Sequence, residues 1–326
     1  MKEHLENLVL ELAHAIDFSK EQTVIDIGSN DGTLLKFYPN WFKRIGYDLV
    51  PKFRKDYNCT GISFINAPFN RNVIGLISKA KIITAISMFY DLDDPIPFVT
   101  SLSECLDSKG IIVIQQNYLL SMLQNNAFDN IVHEHLSYHS LLSMEKIFKP
   151  FNLDIFDIKV NDLNGGSFRT YICHKGDYKV SSRVDTVKRI ELDYELDHEG
   201  AYIDFSNRVG KIRQDLYSLL SDIHRREELV YIYGASTRGN TLLQYAGIDN
   251  SLCQKAVERN PEKYGKKIAS VGIPIISEAE ARQEHPLYML VLPWFFRKEV
   301  VKRESEYLKS GGKLIFPLPQ VEIISK

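Results

Sequence analysis

The sequence predicts an α/β protein built from two parallel-sheet units that follow one another along the chain. Short apolar runs rich in β-branched residues (TVIDI, RIGYDLV, ISFIN, KIITAISM and GIIVIQQN) alternate with helical stretches, a pattern typical of parallel strands with helices on both faces. The runs LDIFDIKV and SFRTYICHKG, joined by the turn NDLNGG, indicate a hairpin that closes the first sheet. A second strand, glycine loop and helix, LVYIYGASTRGNTLLQYAG, begins the second unit.

Domain boundaries follow from a change in composition along the chain. Its 326 residues exceed the about 100–200 residues of an ordinary domain. Residues 178–226 are highly charged and helical in period, so we expect a helical connector there. The runs KAVERNP, PLYMLVLPW and GGKLIFPLP supply further strands after it. We therefore predict a Rossmann-like domain over residues 1–177 and a second Rossmann-like domain over residues 227–326.

Composition and charge exclude several classes of protein. The 40 basic and 42 acidic side chains give a net charge of −2, so neither a nucleic acid nor an anionic membrane is expected as a partner. No apolar run approaches the roughly 18–20 residues of a membrane helix, and the N-terminal MKEHLENLVLELAHAI carries acids, unlike a signal peptide. The four cysteines form no C-x-x-C pair, so we expect reduced thiols, a cytoplasmic location and no zinc site.

The first glycine loop points to a nucleoside cofactor. VIDIGSNDGTLL lacks the G-x-G-x-x-G triplet that holds a dinucleotide pyrophosphate, and its acids suit a cationic ammonium group. Asp48 ends the next strand, where a carboxylate can accept both hydroxyls of a ribose. We therefore predict a class I S-adenosylmethionine (SAM) methyltransferase domain, with a strand–turn–helix carrying incidental acids as the alternative. The candidate cofactor-binding residues are Asp26, Gly28, Ser29, Asn30, Asp31, Gly32 and Asp48.

A cluster of histidines follows the fifth strand. The segment FDNIVHEHLSYHSL lies beyond the carboxyl end of that strand, at the edge of the sheet where α/β proteins bind ligands. An imidazole tuned by a neighbouring carboxylate can remove a proton near neutral pH. The candidate catalytic residues are His133, Glu134, His135 and Tyr138. A zinc site on His135 and His139, spaced i and i+4, and a solvated polar helix are the alternatives.

The second glycine loop fits an anionic ligand better than the first. Backbone N–H groups, hydroxyls and an arginine can all meet a diphosphate. These candidates are Gly234, Ser236, Thr237, Arg238 and Asn240. A loop that binds nothing and an NAD site are the alternatives, although the dinucleotide triplet is again missing. Trp294 in LPWFF either packs on the ligand or is a core tryptophan.

Five segments together resemble the NDP-sugar C-methyltransferases of deoxysugar pathways, the dTDP-deoxysugar type. They are VIDIGSNDGTLL, FDNIVHEHLSYHSL, NDLNGGSFRTYI, YGASTRGNTLLQYAGI and VERNPEKYGKKIASVGIPI, in the family's order over nearly the whole chain. The resemblance implies methyl transfer from SAM to a ring carbon beside the ketone of a nucleotide-activated sugar. It places the family's proton-abstracting histidine on His135 and its partner glutamate on Glu134. It also implies that the domain over residues 227–326 holds the nucleotide-sugar.

The implied chemistry adds further substrate contacts. Proton removal beside a ketone leaves an enolate, whose oxygen needs hydrogen-bond donors. Candidate donors are Tyr138, His133 and the stretch Asn164-Gly165-Gly166-Ser167. The tyrosine of the family's Tyr-His-Glu-His run is Val132 here, and Tyr90, after the fourth strand, is a candidate to replace it.

The chain also departs from the family at its start. Family members usually open with a cysteine-rich zinc module, whereas this sequence begins almost at the helix before the SAM strand. We therefore expect SAM as the cofactor, from the first glycine loop, and no zinc in this chain. Two alternatives stay open: a SAM-dependent O- or N-methyltransferase acting on a sugar or small molecule, and a non-catalytic sugar-nucleotide-binding protein. The oligomeric state is left open as well.

Overall fold

The computed structural model describes residues 2–16, 18, 21–74 and 79–326. The chain forms two compact units. Unit 1 comprises Met1–Tyr118, Leu136–Asn161 and Ser167–Asp193. Unit 2 comprises Leu119–His135, Asp162–Gly166 and Tyr194–Lys326. Unit 2 thus includes two short segments from the first half of the chain. The domain boundaries expected from the sequence, at residues 177 and 226, divide the chain into continuous stretches, and they stay a prediction.

Strands and helices alternate along most of the chain. The strands are β1 (Thr23–Ile27), β2 (Lys43–Tyr47), β3 (Ser63–Ile65), β4 (Ala80–Ile86), β5 (Leu106–Asn117), β6 (Leu153–Asn161), β7 (Ser167–His174), β8 (Val230–Tyr233), β9 (Lys255–Glu258), β10 (Ile275–Ser277), β11 (Tyr288–Val291), β12 (Lys313–Phe316) and β13 (Glu322–Ile324). The helices are α1 (Lys2–Ala15), α2 (Thr33–Phe37), α3 (Arg71–Ile74), α4 (Pro95–Cys105), α5 (Leu119–Gln124), α6 (Leu141–Phe148), α7 (Ser182–Asp193), α8 (Glu199–Arg225), α9 (Thr237–Ala246), α10 (Glu278–Glu284), α11 (Arg297–Arg303) and α12 (Ser305–Lys309).

Unit 1 contains a sheet with the strand order β3-β2-β1-β4-β5-β7-β6. Strands β1 to β5 pair in parallel, while β7 runs antiparallel to both β5 and β6. All five residues of β1 are buried, because a parallel strand is covered on both faces by helices. This topology confirms the predicted class I SAM methyltransferase fold, including the closing hairpin.

Local sequence signals fix where the helices of unit 1 begin. The Asp94 side chain accepts a hydrogen bond from the N–H of Ile96 at the start of α4, and Pro95 occupies the first helical position. Ser140 and Ser143 form a reciprocal capping box at the start of α6.

Unit 2 contains a second sheet with the order β10-β9-β8-β11-β12-β13, in which only β13 runs antiparallel among the described residues. The chain moves outward from β8 to β9 and β10 and then returns to the other side of β8 with β11. Such a reversal creates a crevice beyond the carboxyl ends of the strands. The predicted second Rossmann-like domain is therefore confirmed.

The charged stretch that follows β7 in the sequence and precedes β8 is largely helical. Helix α7 belongs to unit 1 and the long helix α8 to unit 2. The buried positions of α8 include Val209, Ile212, Leu216 and Leu220, the spacing of one helical face. Among the described residues, no helix has the length and apolar character that crossing a bilayer requires.

Candidate active site

A cavity of about 440 Å³ lies in unit 1 at the carboxyl ends of β1, β2 and β4. Three of the predicted cofactor-binding residues, Gly28, Asn30 and Asp48, line it. The remaining lining is largely apolar and includes Leu49, Val50, Phe69, Met88 and Phe98. The cavity therefore has a polar side at the first glycine loop and an apolar side opposite.

Asp48 is fixed in the wall of this cavity by the backbone. Its Oδ2 accepts a hydrogen bond from the N–H of Asn30 at 2.9 Å, and its Oδ1 accepts one from the N–H of Val50 at 2.8 Å. A carboxylate can accept about four hydrogen bonds. Each oxygen of Asp48 can therefore accept a further bond from a ligand hydroxyl.

Glycine is required at one position in the first loop and at one position beside it. Gly28 has a φ of +72°, and a Cβ atom there would lie 3.3 Å from Cγ of Met88. A Cβ on Gly46, in β2 beside the loop, would lie 2.6 Å from Oγ of Ser29. A side chain at Gly28 would strain the backbone and crowd Met88, and one at Gly46 would displace Ser29 or Tyr57.

Asp26 lies beneath the loop and does not line the cavity. Its Oδ1 accepts a hydrogen bond of 2.6 Å from the hydroxyl of Thr84. Burial raises the pKa of Asp26 to about 7, and the nearby charge of Asp48 adds to that increase. The carboxyl group therefore links β1 to β4 inside the sheet.

The other predicted loop residues hold the loop in shape. Oγ of Ser29 accepts a hydrogen bond from the Tyr57 hydroxyl at 2.7 Å. Oδ1 of Asp31 accepts bonds from the N–H and the hydroxyl of Thr33 at the start of α2. Gly32 has a φ of +72° and faces the Tyr57 ring. These three positions stabilise the turn and do not line the cavity.

His135 lies in an irregular segment, since residues 131–139 form no helix. The i, i+4 spacing of His135 and His139 therefore does not place both rings on one helical face. Nδ1 of His135 lies 2.8 Å from the backbone oxygen of Asn130. Because a carbonyl oxygen can only accept, Nδ1 carries the proton in this bond and Nε2 is the basic nitrogen.

Several charges act on the pKa of His135. Burial lowers it below the ordinary value, the bond to Asn130 opposes that effect, and the guanidinium of Arg238 lowers it further. The charges of Glu134 and Asp129 oppose the lowering more weakly. The net pKa is lowered, so the imidazole is neutral at neutral pH.

Glu134 and His133 are exposed neighbours. Oε1 of Glu134 lies 3.9 Å from Nε2 of His133, and both side chains are more than half exposed. Glu134 thus acts on His135 through its charge, whereas the described hydrogen bond that orients the His135 ring comes from Asn130.

The segment after His135 is anchored within unit 1. The N–H groups of Leu136 and Ser137 both donate to the backbone oxygen of Tyr90. His139 is buried beside Phe89, with ring centroids 5.2 Å apart, and burial lowers its pKa to about 4. Burial raises the pKa of Tyr138.

A buried carboxylate in unit 2 connects several residues that the sequence presents as separate candidates. Asp129 is 1% exposed. Its Oδ2 accepts hydrogen bonds from Nε of Arg238 at 2.9 Å and from Nε1 of Trp294 at 3.0 Å. Nη1 of Arg238 donates to the backbone oxygen of Asn164 at 2.6 Å. We call Asp129, Arg238, Trp294 and Asn164 the Asp129 cluster.

The glycines after Asn164 allow this cluster to form. A Cβ on Gly165 would lie 3.1 Å from the Trp294 ring, and one on Gly166 would lie 2.3 Å from Cβ of Ser121. Both glycines have positive φ values. The adjoining Ser167 belongs to unit 1, where its hydroxyl donates to Asn161.

The Asp129 cluster adjoins the residue that holds the His135 ring. Asp129 precedes Asn130, whose carbonyl holds the His135 ring. Asp129 is absent from the candidates drawn from the sequence, because an acid in a loop gives no sign that it is buried. The only sequence feature that could have pointed to Asp129 is its position in the same short segment as the histidines.

Comparison with known proteins shows which kind of enzyme has this site. Residues 1–158 match the model of a methyltransferase domain, and residues 162–319 match that of the C-methyltransferase C-terminal domain. The C-methyltransferase NovU of Streptomyces niveus is 28% identical over 329 residues, which cover 99% of this chain and 78% of that protein. The chain is a SAM-dependent C-methyltransferase.

Solved structures similar to this C-methyltransferase include other methyltransferases. A SAM-dependent methyltransferase from Clostridium acetobutylicum ATCC 824 is 13% identical, with a TM-score of 0.42 over 54% of this chain and 93% of that chain. A putative sarcosine dimethylglycine methyltransferase from Galdieria sulphuraria is 12% identical, with a TM-score of 0.44 over 53% of this chain and 86% of that chain.

The unit 1 cavity of the C-methyltransferase fits SAM, its methyl donor. Asp48 offers carboxylate oxygens for the ribose hydroxyls, and the apolar side suits an adenine ring. No lysine or arginine occurs among the described residues that line the cavity, which suits a ligand with a positive sulfonium. Gly28, Asn30 and Asp48 would hold the cofactor.

Residues of the second glycine loop of the C-methyltransferase line two different cavities of unit 2. Gly234 and Ser236 line one cavity of about 370 Å³. Thr237 and Asn240 line another, of about 640 Å³, together with His133. Arg238 lines neither, because its guanidinium is bonded to Asp129 and Asn164.

The enzyme brings no cluster of metal ligands together in its described part. Over residues 2–16, 18, 21–74 and 79–326, no three or more His, Cys, Asp or Glu side chains are placed to hold a metal ion.

Proposed function

We propose that the enzyme methylates a ring carbon next to the ketone of a nucleotide-activated sugar, with His135 as the base. The observation that carries the proposal is the bond between Nδ1 of His135 and the backbone oxygen of Asn130. It leaves Nε2 as the basic nitrogen of an imidazole whose pKa is lowered. The sugar substrate is supported by the resemblance of the five segments to NDP-sugar C-methyltransferases.

Carbon methylation demands a base more strictly than oxygen or nitrogen methylation does. A sugar carbon has no lone pair, and it becomes nucleophilic only after a proton beside the ketone is removed. SAM, when bound, supplies an electrophilic methyl group. His135 would take the proton, and the Asn130 carbonyl would stabilise the resulting imidazolium through the Nδ1–H bond.

The developing negative charge on the ketone oxygen needs donors. The N–H groups of Gly165 and Gly166 already donate to Asp162 and Leu163 inside their own turn. We therefore assign the charge stabilisation to Tyr138 and to His133, with Tyr90 as a further substrate contact. Asn164 would act indirectly, through its bond to Arg238.

The substrate class is tested with a panel of keto-sugar nucleotides and the corresponding alcohols. Each compound is incubated with the enzyme and SAM, and products are analysed by mass spectrometry and NMR. We expect a new carbon–methyl bond beside the ketone and no product from the alcohols. An O-methyl product from an alcohol would contradict the proposal.

The pH dependence of catalysis should report the charges around His135. The base is active when neutral, so kcat/KM should rise with pH with a midpoint below pH 6.5, because the His135 pKa is lowered. Arg238→Gln removes a positive charge that lowers this pKa, so the acid limb should move to higher pH. Asp129→Asn removes a negative charge and should move it to lower pH. The pH profiles of kcat/KM for the three proteins check both directions, and identical limbs would exclude His135 as the titrating base.

A further inference from the structure

The chain segment that carries the histidines is bounded at both ends by residues of unit 1. Tyr118, which follows β5, is the last residue of unit 1 before residues 119–135, and Leu136 is the first residue of unit 1 after them. Tyr118 and His139 form an isolated parallel bridge. The two ends of the stretch 119–138, which we call the 119–138 segment, therefore lie side by side in unit 1.

Glu191 of helix α7 joins these two ends. Its side chain lies in the interior of unit 1, since Glu191 is 0% exposed. Its Oε1 accepts hydrogen bonds from the Tyr118 hydroxyl at 2.8 Å and from the N–H of Leu141 at 2.6 Å. Its Oε2 accepts a bond from the N–H of Leu142 at 2.9 Å. One carboxylate thus binds the residue before the 119–138 segment and the first two residues of α6 after it.

The surroundings of Glu191 suit an ionised carboxylate. Burial raises the pKa of Glu191, and the hydrogen bonds from Leu142, Leu141, Tyr118 and Ser140 oppose that effect. The first N–H groups of a helix have no partner inside the helix, and this end of a helix favours a negative charge. Glu191 therefore supplies both an acceptor and a charge at the start of α6.

The end of the segment that Glu191 holds is close to His135 along the chain. His139 lies four residues after His135, a distance that the extended chain spans in at most roughly 14 Å. Between them, the N–H groups of Leu136 and Ser137 donate to the backbone oxygen of Tyr90. Oγ of Ser137 lies 2.8 Å from Nε2 of His139. The chain from His139 back to His135 is therefore short and held by hydrogen bonds.

We propose that Glu191 is a positioning residue for methyl transfer, which sets the place of His135 by holding together the two ends of the 119–138 segment. It acts through Tyr118 and the start of α6 and takes part in no step of the reaction. A base must lie within hydrogen-bond reach of the proton that it removes, and a displacement of about 1 Å can cost about 10²-fold in rate. The proposal rests on the proposed function for the role of His135.

A second contact between the same two helices provides a matched control. Nζ of Lys188 in α7 forms an ion pair with Oε2 of Glu145 in α6. This pair joins α7 to α6 as Glu191 does, but it makes no bond to Tyr118. A role of Glu191 in helix packing alone would make the two contacts equivalent.

The kinetic test compares three variants by kcat and by calorimetric titration with SAM. Glu191→Gln keeps the size of the side chain but replaces one acceptor oxygen with an NH₂ donor. We expect its kcat to fall about tenfold, while the SAM affinity stays within about twofold and each chain keeps one SAM site. Tyr118→Phe removes only the hydroxyl that donates to Glu191 and should lower kcat at least about threefold. Lys188→Ala should keep the kcat of the wild-type enzyme.

The number of SAM sites per chain separates a misplaced base from unfolded protein. A kcat that falls in Glu191→Gln only in proportion to the SAM sites lost would overturn the proposal. So would a wild-type kcat in Tyr118→Phe, a result that does not depend on the folding of Glu191→Gln. An equal loss of kcat in Lys188→Ala would show that helix packing, and not the link to Tyr118, is what matters.

Amide hydrogen exchange measures the same effect without a substrate. Peptides from residues 126–139 should exchange about tenfold faster in Glu191→Gln than in the wild-type enzyme or in Lys188→Ala, whereas peptides from β1 and β4 should be unchanged. Equal exchange of residues 126–139 in all three proteins would contradict the positioning role. If this exchange is faster as expected but His135→Ala keeps full activity, the proposed function fails while Glu191 still positions the segment.

Discussion

Replacing His135 with alanine should reduce kcat for methyl transfer by about 10²–10⁴-fold, the usual contribution of a general base. The reason is specific to this loop. Nδ1 is bonded to the Asn130 carbonyl, so Nε2 is the nitrogen able to take a proton, and no other group in the proposed mechanism removes the proton beside the ketone. SAM affinity should remain within about twofold, because Asp48 and the first loop belong to unit 1.

Two controls separate a base from a merely structural histidine. Added imidazole should restore part of the activity of His135→Ala, since the small base can enter the space left by the ring. His198→Ala, which removes a more than half exposed ring at the start of α8, should leave kcat unchanged. Wild-type kcat in His135→Ala, measured by SAM turnover, would remove His135 from the mechanism.

Replacing Arg238 with alanine should lower the free energy of unfolding by about 3–5 kcal/mol, the cost of leaving a buried carboxylate without its partner. Asp129 is 1% exposed, and Arg238 is its only ion-pair partner among the described residues. The same change also removes the bond to the Asn164 carbonyl. Denaturant unfolding without cofactor checks this value.

A double-mutant cycle isolates the ion pair. Asp129→Asn combined with Arg238→Ala should cost less than the sum of the single changes, because the second change removes the charge that the first leaves unpaired. Arg225→Ala, which removes an exposed pair with Asp222, should change stability by about 0.5 kcal/mol or less. A loss below about 1 kcal/mol for Arg238→Ala would show that the Asp129 cluster does not anchor the loop.

The fold is predictable wherever apolar runs are long enough. The buried strands β1, β4, β5 and β8 correspond to continuous β-branched segments of the sequence, and the turn NDLNGG marks the hairpin of β6 and β7. Strands β10 and β13, each of three residues at an edge of the second sheet, are absent from the predicted strands. The equally short edge strand β3 is predicted because it lies in the run ISFIN, whereas Pro274 directly precedes β10 and Glu322 begins β13.

The sequence predicts which loops form the candidate site. It does not predict the hydrogen bonds and ion pairs that join these loops. The residue types of the first loop and of the histidine segment are enough to predict a cofactor loop and a candidate base. Asp129 bonds to side chains 109 and 165 positions away, and only folding shows that it is buried. For the same reason Arg238, which the sequence offers to a diphosphate, is bonded to a carboxylate, while Arg259 and Lys263 line the cavity of about 370 Å³ in unit 2.

Proton exchange at the carbon beside the ketone tests the role of His135 most directly. A keto-sugar nucleotide is incubated with the enzyme in D₂O with S-adenosylhomocysteine, which has no methyl to give, and deuterium uptake is followed by NMR. We expect uptake at that carbon with wild-type enzyme and none above background with His135→Ala. No uptake with an enzyme that methylates the same compound, or equal uptake with both proteins, would contradict proton removal by His135.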